Sequence, residues 1–239
     1  MPKKRDSHVE DQLNHHNGVA SRLRDIILGG QDGVVNVLGL VLGVASATND
    51  SKIVIIAGLA STFAESISMG AVAYTSSEAA SSYYRSLEKQ ELHEIDKHPA
   101  EERAEIRSIF AKKGIRGTLL TKVVTAITSS RRRWLATMMA EELKVSPEHA
   151  SPLNSAILVF FASLVGSLIP IIPFFMRLPV KTAMVAALAV CSVVLFLTGA
   201  YKAKITVGVW WRSGAAMMLI GIVSAVAGYL IGSILGVVL

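Results

Sequence analysis

Five apolar blocks, each of membrane-crossing length, dominate this chain: residues 26–47, 53–74, 153–176, 180–201 and 215–239. A transmembrane helix needs about 20 mostly apolar residues. In hydrocarbon every backbone N–H and C=O must find its partner inside the segment, so such blocks fold as helices. The predicted fold class is therefore all-α, a polytopic membrane protein with five transmembrane helices. A chain that is 51% hydrophobic would be unusual as a soluble domain, but here the apolar residues are gathered into the five blocks. No apolar core precedes residue 26, so no cleavable signal peptide is expected. The lone Cys191 excludes a disulfide framework or a thiolate metal site within one chain, and its apolar surroundings in sequence read as packing.

The net charge of +6 speaks first to orientation. With the N-terminus in the cytosol, Lys3, Lys4, Arg5, Arg22, Arg24, Arg131, Arg132, Arg133, Lys202, Lys204 and Arg212 all fall inside, and only Lys52, Arg177 and Lys181 fall outside. The positive-inside rule favours that arrangement and places Leu239 outside. It also accounts for the arginine run without nucleic acid, for which no partner role is expected. Trp210 and Trp211, beside Arg212, read as an interfacial anchor for the fifth span. Pro170 and Pro173 predict a kink in the third span, with carbonyls left free near residues 166 and 169. Gly39 and Gly43 in the first span, and Gly228 and Gly232 in the fifth, have the spacing that allows close helix contact.

Only the first two spans hold a carboxylate, Asp32 and Glu65 respectively. An acid at membrane depth is costly and by default faces a water-filled path or a partner. Met69 lies one turn after Glu65 on the same helical face. Hard oxygen and soft sulfur on one path suit a transition-metal ion better than a sugar.

About 75 residues separate the second and third spans, too many for a simple connection. Helical character over 77–95, 100–113 and about 119–143, with a polar break at Ser129 and Ser130, predicts a three-helix cytoplasmic unit. The resulting division is 1–25 as a cytoplasmic tail, 26–75 as the first two spans, 76–150 as the insert and 151–239 as the last three spans. Within the insert Glu88 and Glu91, Glu102 and Glu105, and Met138 and Glu142 are spaced to share helix faces. Carboxylates on facing helices can build a metal site, whereas the plainer reading is a set of solvated acidic faces. The E-x-x-H spacing of di-iron bundles is absent, since neither His93 nor His98 has a Glu three residues before it.

Three stretches resemble the vacuolar iron transporter family. They are RDIILGGQDG from Arg24, AESISMG from Ala64 and WLATMMAEEL from Trp134. Five spans with a helical insert after the second match as well. The resemblance implies a homodimer whose ion path, lined by the first two spans, exchanges cytosolic Fe²⁺, or in some members Mn²⁺, for protons. It assigns Asp25, Asp32 and Met69 to the path, and Glu88, Glu91, Glu102, Glu105, Met138 and Glu142 to a cytoplasmic metal-binding domain. Some members carry a second-helix glutamate where this chain has Ser61; Glu65, one turn before Met69, is placed on the path beside it, and whether it replaces that glutamate stays open. The choice between Glu101 and Glu102 stays open.

The expected function is thus a proton-coupled exporter of divalent metal from the cytosol, with the ion as cargo and no permanently bound cofactor. The rival readings are a carrier for another cation, with Mn²⁺ foremost, and a membrane-anchored metal sensor or storage scaffold without transport. No G-x-x-x-x-G-K-[ST], H-E-x-x-H or G-x-S-x-G motif occurs, so neither an ATP-driven pump nor an enzyme is expected. The expected location is the plasma membrane in a prokaryote or the vacuolar membrane in a eukaryote.

Overall fold

The computed structural model describes residues 3–145, 151–206 and 208–238, with side-chain surroundings for 22–145, 151–206 and 208–236. The side chains of Lys3, Lys4 and Arg5, and residue Leu239, lie outside this set. The order is α1 (Lys3–Thr48), α2 (Ser51–Lys97), α3 (Pro99–Lys112), α4 (Gly117–Thr128), α5 (Arg131–Glu141), α6 (Pro152–Leu168), a 3₁₀ turn (Ile169–Ile171), α7 (Ile172–Phe175), α8 (Val180–Ile205) and α9 (Trp210–Val238). The all-α reading holds. Among the described residues five helices are long and apolar enough to cross a membrane: Arg22–Thr48, a part of Ser51–Lys97, Pro152–Phe175, Val180–Ile205 and Trp210–Gly236. The chain forms two compact units, Met1–Thr75 with Ala150–Leu239, and Ser76–His149. Their boundary falls inside α2.

In the first unit α1 is the central helix, packed against α6, α8 and α9. Its buried stripe of Val37, Leu38 and Val41 meets Ile171, Phe174, Cys191 and Leu195. Lipid tails are as apolar as leucine, so helices in a bilayer associate by close packing of small residues rather than by the hydrophobic effect. The sequence of α8 shows this directly: Ala183, Ala187, Cys191, Leu195 and Gly199 recur every fourth residue and are all buried. On α6 the buried face is Ser155, Val159, Ser163 and Ser167, and it lies against Gly29 and Gly33 of α1.

The two glycine pairs anticipated within separate helices in fact face each other. A methyl group on Gly228 or Gly232 would land on the carbonyl of Gly39 or Gly43, so α1 and α9 touch backbone to backbone. Between α1 and α2, Asn49 adopts φ 49°, a left-handed conformation that asparagine tolerates. Asp50 Oδ1 then accepts from Lys52 N at 2.7 Å and opens α2. Ser151 opens α6 the same way, its hydroxyl accepting from Asn154 N at 3.2 Å, with Pro152 at the first helical position.

Two expectations need correction. The prolines do interrupt the third span, but they leave no orphan carbonyls at 166 and 169. The chain tightens into a 3₁₀ turn in which Ile169 N–H reaches Gly166 O and Ile172 N–H reaches Ile169 O. The expected third helix of the insert is two helices. Ser129 ends α4, and Ser130 is extended (φ −133°, ψ 120°) at the start of α5, because it stands outside the α-helical region.

The second unit has its own core of Ile95, Ile106, Trp134 and Met138. Gly114 and Gly117, at φ 92° and 62°, turn the chain between α3 and α4. Ion pairs tie Arg131 at the start of α5 to Asp96 on α2, and Lys113 after α3 to Glu141 on α5.

The backbone contact between α1 and α9 predicts a sharp size limit. Gly232→Leu should lower stability by about 1–3 kcal/mol, the usual cost of overpacking, read as an earlier thermal midpoint in detergent. Ile231→Leu, at an exposed neighbour, should leave the midpoint unchanged.

Candidate metal sites

Among the described residues each unit carries a constellation of carboxylates. In the membrane unit α1 supplies Asp32 and Asn36, one turn apart, and α2 supplies Glu65. Asn36 Nδ2 donates to Asp32 Oδ2 at 3.2 Å and to Glu65 Oε1 at 2.9 Å. Both protons of one amide are thereby spent on two acids. Asp32 and Glu65 are half-buried, whereas Asn36 is exposed. Behind them, on the faces turned toward α6, Thr62 and Ser66 of α2 are fully buried, as are Ser163 and Ser167 of α6. Ser66 Oγ donates to Thr62 O at 2.7 Å, and Thr62 Oγ1 donates to Ser167 O at 3.4 Å.

Of the other residues expected on a path, Met69 is half-buried one turn beyond Glu65. Asp25 is buried, 7% exposed, with its carboxylate 3.7 Å from the guanidinium of Arg24. Asn36 was not anticipated. Its signal was present, a polar residue four positions after Asp32 in an otherwise apolar block, but it carries no charge.

In the second unit Glu91 from α2, Glu102 from α3 and Glu142 just after α5 offer carboxylate oxygens that all lie within 4.8 Å of one another. Three helices therefore converge on one point. Glu91 and Glu102 are only 3% and 6% exposed, and one oxygen of each has no hydrogen-bond donor. Removing a carboxylate from water and crowding it with like charge both disfavour ionisation. Burial, then the charges of Glu102 and Glu142, push Glu91 up to about 8. Burial and then Glu105 push Glu142 up to about 7, and burial followed by Glu105 raises Glu102 as well. Such a cluster, acidic yet short of donors, is chemically suited to a divalent cation, which would replace the shared protons with charge.

Placement separates the insert residues that share a face by spacing alone. Glu105 is exposed but reaches Glu142. Met138 is fully buried one turn before Glu142. Glu88 is half-buried and lies outside the group of three; its charge acts on Tyr84, whose phenol is raised by burial and then by Glu88. Glu102, rather than the exposed Glu101, is the member of the cluster. Glu94 adds negative charge near Glu91, Glu102 and Glu142 and was not anticipated.

A family model described as the VIT family matches residues 23–233. The chain is 30% identical over 222 residues to vacuolar iron transporter 1 of Tulipa gesneriana, covering 92% of this chain and 90% of that protein. It is 33% identical over 209 residues to vacuolar iron transporter 1 of Eucalyptus grandis, covering 87% and 84%. The vacuolar iron transporter of Plasmodium falciparum is 28% identical over 240 residues, covering 96% and 86%.

The cluster in the insert sets a pH dependence for the metal-free protein. A carboxyl whose folded pKa is raised from the ordinary 4.5 to about 8 stabilises the fold below 4.5, and that stability is lost as pH rises to about 8. Glu91→Gln removes the charge that must otherwise be buried. It should raise the thermal midpoint of metal-free protein by several degrees at pH 8 and change it little at pH 4.5, read by circular dichroism with a chelator present.

Proposed function

The chain belongs to the VIT family, and from that premise we propose that it carries a divalent metal ion, Fe²⁺ foremost and Mn²⁺ second, out of the cytosol in exchange for protons. As a family member it is not an enzyme. The relatives it resembles over most of their length are named as iron transporters. The observation that carries the proposal is the Asp32–Asn36–Glu65 group, two acids from two membrane helices drawn to one amide. Acids at that depth are functional by default, and oxygen ligands suit Fe²⁺ and Mn²⁺.

In this reading the ion is first collected by Glu91, Glu102 and Glu142, with Glu105 and Met138 beside them and Glu88 at the margin. It then passes Asp25 and reaches Asp32, Glu65 and Met69. Cation and proton compete for the same carboxylate oxygens of Asp32 and Glu65, so an arriving cation displaces protons and a departing one readmits them. With access alternating between the two sides, that competition is sufficient for antiport. Asn36 keeps the two carboxylates together and adds its own amide oxygen to the ligand set.

Asn36 is exposed and Asp32 and Glu65 are only half-buried. A lone chain would present these groups to hydrocarbon, at a cost of several kcal/mol. A second copy covering these groups would remove that cost, which supports the homodimer. Orientation follows from the lysines and arginines, with the N-terminus and the insert cytoplasmic.

The test is Fe²⁺ flux in proteoliposomes containing an internal pH dye. Wild type should take up Fe²⁺ with opposing proton movement. Asp32→Ala should lose at least tenfold in rate while still inserting and eluting as wild type, and Asn36→Leu should also lose flux. Full flux in Asp32→Ala would overturn the assignment of the path. Metal binding by the insert with no flux in wild type would establish the sensor or storage reading instead.

A further inference from the structure

A groove of about 640 Å³ runs between α1, α6 and α8, away from the carboxylates of the ion path. Its walls are apolar, with Ile26, Phe161, Val165 and Leu197 all 46–63% exposed along it. On α1 it extends from Leu23 to Val34, and along α6 and into the 3₁₀ turn from Leu158 to Ile169. Each stretch rises ~16 Å at about 1.5 Å per residue, close to half of a hydrocarbon core of about 30 Å. The groove is therefore one leaflet deep.

One end of it is basic. Leu23 and Tyr201 line the groove there. Arg22 and Arg24 flank the first, and Lys202 and Lys204 follow the second; all four are exposed. Arg24 has Asp25 as a partner. No ion pair of Arg22, Lys202 or Lys204 occurs among the described residues. Tyr201, 58% exposed at the same level, is the kind of side chain that favours the headgroup boundary. An apolar slot of leaflet depth, capped at the membrane surface by unpaired cations, matches a molecule with a long apolar tail and an anionic head. A basic pocket between transmembrane helices is a recognised setting for anionic lipid.

We propose that this groove holds an acyl chain of an anionic glycerophospholipid, with the phosphate headgroup at Arg22, Lys202 and Lys204. The site rests on these helices crossing the membrane and is independent of which ion the protein carries. Gln31, the residue before Asp32, also lines the groove, so the lipid lies against the helix that bears the ion path.

The test measures thermal stability and lipid retention by native mass spectrometry. It uses the full-length protein in detergent, titrated with palmitoyl-oleoyl phosphatidylglycerol or with phosphatidylcholine of the same chains. Phosphatidylglycerol should bind at least fivefold more tightly. The combined variant Arg22→Gln, Lys202→Gln and Lys204→Gln should bring it within twofold of phosphatidylcholine. Removing charge at the opposite end of α8 with Lys181→Gln should leave the preference intact. Leu197→Trp, which fills the slot from its exposed edge, should weaken both lipids. Equal binding of the two lipids by wild type, or an undiminished preference in the triple variant, would overturn the proposal. So would a headgroup preference that Leu197→Trp does not weaken, since the acyl chain would then lie elsewhere.

Discussion

Hydrocarbon offers a polypeptide no hydrogen-bond partners, and the arrangement of this chain follows from that constraint. Backbone groups are satisfied within helices even where prolines intervene, by the 3₁₀ turn at Ile169–Ile171. Several side chains find partners too, although the buried hydroxyls of Ser163 and Ser167 have none among the described residues. The membrane acids cannot be left to solvent, so they meet over Asn36, and the hydroxyls of Thr62 and Ser66 turn to backbone carbonyls. Polar groups in the spans are thus few and mutually dependent, and a change at one alters the surroundings of the next.

The insert solves the opposite problem. Water is near, yet Glu91 and Glu102 are buried with oxygens lacking donors. A core of Trp134, Met138, Ile95 and Ile106 and the Arg131–Asp96 and Lys113–Glu141 ion pairs hold three helices together against the repulsion of their acids. A fold that spends stability in this way holds a site ready for positive charge before the charge arrives. The membrane unit uses a neutral amide to bring its acids together, whereas the insert relies on shared protons.

Much of this was legible in the residues. Apolar runs of bilayer length gave the number and order of the spans, because length and hydropathy are local properties. The helical, acidic insert was legible for the same reason. Partners across space were less so. Spacing put Glu88 with Glu91 on one face, but only packing decides which of the two meets α3. Gly39, Gly43, Gly228 and Gly232 were visible as two separate motifs, and nothing local says that α1 and α9 meet through them. Asn36 carries no charge and so gives no local signal of cost in a membrane, while the structure uses this neutral donor to join two charged groups. The polar pair Ser129 and Ser130 is ambiguous in sequence, since two serines can sit in a helix, and here the second adopts an extended backbone.

The glycine seam also has a mechanical meaning. With Gly39 and Gly43 seated on Gly228 and Gly232, a slide of α1 by one residue would drive Leu40 and Val44 into a backbone that has no room for them. The two helices are keyed, like a rack held at one tooth. Asp32 and Asn36 ride on the keyed member, so their position relative to α9 is fixed by the seam. A relative displacement of Asp32 and Glu65 is then a displacement of α2 against the keyed pair of α1 and α9 taken together.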